Sequence, residues 1–135
     1  MTESRLDQVS RRHQGGYNCA QAVLCSYSDL FGLDEDASFR VAEGLGLGMG
    51  GMEGTCGALT GACMLAGLKG STANLEAPDS KGSTYRISRE LVAEFARRVG
   101  ATQCAEIKGR GTGKVLCSCP DCVRVAATLV EEQLL

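Results

Sequence analysis

Apolar residues recur at helical spacing along most of this chain, and the breaks between them fall at glycines and capping residues. Leu6 and Val9 share one side of a segment from Thr2 to Gln14 whose Arg5, Arg11 and Arg12 are expected outward, and Gly15-Gly16 ends it. A second helix follows in YNCAQAVLCSYSDLFGL. Asn18 is its N-cap, Cys19 lies in its first turn, and Ala22, Val23, Leu30 and Phe31 supply its apolar face. Leu33 to Gly44 predicts a third helix, capped by Asp34 or Asp36, with Phe39 and Val41 buried. A polar loop from Gly70 to Ser83 precedes the clearest amphipathic segment. There Ile87, Leu91, Val92, Phe95 and Val99 line one face, Ser83 or Thr84 opens the helix, and Gly100 stops it. Its arginines read as a solvated face. Thr102 can cap a short helix with Cys104 in its first turn. Ser118 and Asp121 fit a capping box that opens the last helix, with Pro120 tolerated in the first turn and Cys119 and Cys122 at its start. Apart from Lys114 to Cys117, which could form a short strand, nothing alternates as a strand should. The pattern predicts an all-α fold, one domain over residues 1–135, with about five to six helices.

The centre of that bundle is expected between Glu43 and Lys69, where a glycine-loaded loop turns into a helix of small residues. Thr55 reads as its N-cap, which puts Cys56 in the first turn, at the positive end of the helix dipole where a thiolate is favoured. Gly57 and Gly61 stand four apart, as do Ala58, Ala62 and Ala66, leaving two stripes almost without side chains. Such stripes serve tight packing, close approach of a bound group, or contact with a second copy in a homo-oligomer. Gly54, Gly57 and Gly61 are therefore the candidates for approach by a cofactor.

Composition changes the picture through sulfur. The 135 residues include eight cysteines, at 19, 25, 56, 63, 104, 117, 119 and 122. A chain of this length can bury about two thirds of its unfolded surface without disulfides, so the density reads as chemistry. The first residues, MTESRLDQVSRRHQGG, hold no apolar run of signal-peptide length, so a cytoplasmic location is expected, where clustered cysteines more often bind metal or do redox work. The run from Thr55 to Leu68 is too short and glycine-rich for membrane insertion. A net charge of -2 and the absence of tryptophan argue against a nucleic-acid partner.

Two glycine patterns mislead. Gly46, Gly48 and Gly51 match a dinucleotide fingerprint without a βαβ unit around it, and GRGTGK is one residue short of a phosphate loop. C-P-D-C at Cys119 to Cys122 is a dithiol motif at a helix start, and Cys117 extends it to C-x-C-x-x-C. The sole histidine, His13, is expected in solvent. A metal site would then be all sulfur, suited to an iron–sulfur cluster, zinc, or copper(I) assisted by Met49 and Met52. Cys19, Cys56, Cys104 and Cys122 each fall at a predicted helix start. Four such sulfurs could ligate a cluster or cycle as two thiol–disulfide pairs, and spacing does not separate these. Cys117 could pair with Cys119 or Cys122, but connectivity does not follow from sequence.

N-C-A-Q-A-V-L from Asn18, G-T-C-G-A-L-T-G from Gly54, F-A-R-R-V-G before Cys104, and Cys122 at the head of the last helix together resemble the C_GCAxxG_C_C family of redox-active proteins. The resemblance spans nearly the whole chain. It implies that Cys19, Cys56, Cys104 and Cys122 are the functional cysteines, whether catalytic or metal-binding, and that Cys25, Cys63, Cys117 and Cys119 are extra. It implies redox activity and a redox partner without naming either partner or substrate. The competing reading is a non-redox soft-metal protein with a Cys₄ zinc or copper site.

Overall fold

The computed structural model describes residues 3–135; of the first predicted helix, Thr2 lies outside them. Among the described residues there are seven α-helices and no strand, so the fold is all-α with more helices than the five to six expected. They are α1 (Leu6–Gln14), α2 (Cys19–Tyr27), α3 (Glu35–Ala42), α4 (Gly57–Gly70), α5 (Lys81–Val99), α6 (Cys104–Lys108) and α7 (Cys119–Gln133). Lys114 to Cys117 is irregular rather than a strand.

Helix α4 forms the axis of the fold. Gly57, Ala58, Leu59, Gly61, Ala62, Leu65 and Ala66 are buried, and α2, α5 and α7 pack around them. The glycines explain how closely the helices approach. A Cβ on Gly61 would lie 2.8 Å from the Ala20 carbonyl oxygen and 3.3 Å from Val23 Cβ, so at this position α2 and α4 touch backbone to side chain. The small-residue stripe is therefore covered within the chain. Around this axis, Tyr27, Phe95, Leu24, Leu59, Leu65, Leu91 and Leu129 are the largest side chains in the core. Polar ties close the outside. Tyr27 donates from its hydroxyl to Glu131 at 2.5 Å, and Arg98 joins α5 to α7 through Glu132 at 2.8 Å.

Several local expectations are corrected. Leu30 is 38% exposed because α2 ends at Tyr27 and residues Ser28–Phe31 tighten into a 3₁₀ turn, which changes the phase of the apolar face. Val41 is 55% exposed, since α3, capped by Asp34, turns Ser38 and Ala42 inward instead. Helix α5 starts at Lys81 after Ser80, two residues before the predicted Ser83. Neither Thr55 nor Thr102 acts as a cap. Their segments are joined to one another, with consequences for the site.

Candidate functional site

Three local devices bring the helix starts together. At α2, Asn18 and Gln21 form a reciprocal capping box, each side chain accepting from the other's backbone N–H at 2.9 Å. The Asn18 amide also donates to the Glu43 carbonyl at 2.9 Å, which pins Cys19 beside the glycine-rich loop. At α4, Thr55 and Gln103 form an isolated antiparallel bridge. The Cys56 N–H donates to the Thr102 carbonyl at 2.8 Å, and the Cys104 N–H donates to the Gly54 carbonyl at 3.0 Å. Two segments almost fifty residues apart in the chain are thereby stitched side by side, each ending in a cysteine. At α7, Ser118 accepts from the Asp121 N–H at 3.2 Å, so Cys119 and Cys122 occupy the first turn as predicted.

The result is a cavity of about 180 Å³ lined by all four helix-start cysteines, Cys19, Cys56, Cys104 and Cys122, and by Cys119. Cys25 and Cys63 lie outside that lining. Close backbone approach makes the convergence possible. A Cβ on Gly57 would fall 2.5 Å from Cys19 Sγ, and one on Gly48, whose φ is +57°, would fall 2.4 Å from Cys104 Cβ. Of the other expected glycines, Gly54 packs against the Met49 side chain and Gly61 belongs to the crossing with α2.

Cys56 itself occupies the N-cap of α4, the place predicted for Thr55. Its thiol is held below the ordinary range, first by its side-chain hydrogen bond with Cys122. Burial opposes this, while the amides of Ala58 and Leu59 and the Lys108 ammonium reinforce it. Cys122 moves the opposite way. Its hydrogen bond to Cys56 and its burial keep it protonated. Burial likewise raises Cys19, against the Leu47 amide, and Cys104, against Lys108. The site thus holds one favoured thiolate with a protonated partner thiol against it. The C-P-D-C motif is split by this arrangement: Cys119 Sγ accepts from Lys108 Nζ at 3.0 Å, while Cys122 faces Cys56.

Two titratable lining residues escaped sequence reasoning. His13 was expected in solvent, but the end of α1 half-buries it at the cavity, and burial lowers its pKa toward the neutral imidazole. Lys108 carried a usable signal, standing four residues after Cys104 and so on the same face of α6.

Among the described residues, no three His, Cys, Asp or Glu side chains are gathered as ligands of a metal ion. Binding of an ion or cluster would release the protons that burial and pairing keep on Cys19, Cys104 and Cys122. Cys19, Cys56, Cys104 and Cys122 line one cavity and are the side chains that would hold a soft metal there, but as they stand they are not gathered as ligands of one ion.

A family described as "Putative redox-active protein (C_GCAxxG_C_C)" matches residues 17–133. The chain belongs to this family. No curated protein and no solved structure shows significant similarity to it. The region matched by the C_GCAxxG_C_C family contains every cysteine of the cavity; His13 precedes it.

Proposed function

We propose that this C_GCAxxG_C_C protein is a dithiol redox protein in which Cys56 is the attacking sulfur and Cys122 its partner. The observation that carries the reading is the Cys122 thiol set against the Cys56 sulfur at the start of α4, inside a cavity that also holds Lys108. A thiolate is the nucleophile in thiol–disulfide exchange, and helix starts and nearby cations are the environments that stabilise it. Oxidation converts the Cys56 thiolate and the Cys122 thiol into one disulfide, releasing two electrons and one proton to the oxidant; a thiol-rich cytoplasmic pool reverses it. Cys19 and Cys104 flank the pair and shape its dielectric surroundings.

The test is mild oxidation of anaerobically purified protein with diamide, followed by alkylation and peptide mapping. A Cys56–Cys122 disulfide, lost in Cys56→Ser, is the expected outcome. Iron with labile sulfide, or zinc at one per chain that disappears in the same variant, would replace this reading with a metal centre.

A further inference from the structure

Cys122 has a second sulfur neighbour. Besides lining the cavity with Cys56, it donates from Sγ to the Cys117 carbonyl oxygen at 3.8 Å, which sets Cys117 directly beside it. The two neighbours differ in access. Cys56 is 7% exposed and lines the cavity, whereas Cys117 is only partly buried and does not contribute to the cavity lining. Cys122, 2% exposed, therefore stands between an interior thiol and an outer one. Cys119, the other candidate for such a role, lines the same cavity and is engaged by Lys108 at 3.0 Å.

We propose that Cys117 is a relay thiol that carries the disulfide from the cavity to the protein surface, where a dithiol reductant can reach it. The proposal rests on the Cys56–Cys122 pair described above. The Cys117 sulfur, having lost its proton to solvent, attacks Cys122 Sγ. A Cys117–Cys122 bond forms, the Cys122–Cys56 bond breaks, and the electron pair leaves on Cys56. No net oxidation occurs in this step. Cys56 is the better leaving group because its thiolate is the one that the α4 amides and Lys108 favour, and exchange is faster when the departing thiol is the more acidic. An external dithiol then attacks Cys117 Sγ, becomes a disulfide itself, and leaves Cys117 and Cys122 reduced. Direct attack on Cys56 would require a partner to enter a cavity of about 180 Å³, which suits a small molecule and not a protein.

The experiment compares wild type with Cys117→Ser and Cys117→Ala after oxidation with one equivalent of diamide. Disulfides are mapped by mass spectrometry, and reduction is followed with two probes, reduced thioredoxin and a small phosphine. Wild type is expected to show both Cys56–Cys122 and Cys117–Cys122. The variants should show Cys56–Cys122 alone, be reduced by the phosphine at the wild-type rate, and be reduced by thioredoxin at least about tenfold more slowly. Variants reduced by thioredoxin as fast as wild type would overturn the relay, as would a Cys119–Cys122 bond in its place or a Cys117 that alkylates fully after oxidation. If the variants formed no Cys56–Cys122 bond either, the parent reading would fail as well, and that outcome is distinct from the others.

Discussion

An N-cap position is ordinarily held by Ser, Thr, Asp or Asn, whose oxygen satisfies a free backbone N–H. Here a cysteine holds it, and the threonine before it is committed to the bridge with Gln103. Sulfur is a weak acceptor as a thiol and a good one as a thiolate, so this placement favours ionisation. The sign follows for reactivity. Cys56, with its pKa depressed, should stay thiolate as pH falls below the unperturbed thiol value of about 8.5, while Cys19, Cys104 and Cys122, with theirs raised, are already protonated there. Iodoacetamide kinetics with peptide mapping should accordingly show Cys56 labelled at neutral pH ahead of the other three. Cys122→Ala removes the side-chain hydrogen bond that contributes most to this depression, so the midpoint of the Cys56 profile should move up toward the ordinary value. An unmoved midpoint would show that the helix and Lys108 suffice. The start of α4 was legible to within one residue from the glycine-rich loop that gives way to a helical run there, although Thr55, read as its cap, pairs with Gln103 instead. His13 was not legible, since nothing within a few residues of it announces which helix end it will meet, whereas Lys108 could have been placed from Cys104 four residues before it.

At the scale of the element, α4 is a test of what its glycines are for. Two in the same helix should respond oppositely to one methyl group. At Gly61 the added Cβ meets the Ala20 carbonyl at 2.8 Å, so Gly61→Ala should force α2 away and cost about 1–3 kcal/mol. At Gly67 a Cβ meets nothing within 4 Å, so Gly67→Ala should stabilise by about 0.5–1 kcal/mol through helix propensity alone. Urea denaturation of the two variants measures both, and equal shifts of the same sign would contradict the close crossing. The existence of α2, α3, α5 and α7 was readable from apolar period and capping residues together. Burial was read less well where the period broke, as at Leu30 after the 3₁₀ turn, and where a short helix could face either way, as at Val41.

At the scale of the whole molecule, the candidate site is a product of distant pairing. Cys19, Cys56, Cys104 and Cys122 come from the starts of four different helices, and the bridge between Gly54–Cys56 and Thr102–Cys104 sets two of them side by side. Sequence spacing holds no record of that bridge, because it consists of backbone groups that any residue could offer. The arrangement makes the chain's own disorder part of its electrochemistry. A bond between Cys56 and Cys122 would close a loop containing α4, α5 and α6, removing many conformations from the unfolded chain while leaving the folded one nearly as it was. That loop closure alone should stabilise the oxidised protein by about 4 kcal/mol, so calorimetry should find its melting temperature well above that of the reduced form. By the same cycle, folding pulls the couple toward the disulfide, and the reduction potential of the native protein should lie below that of the same two thiols in the unfolded chain.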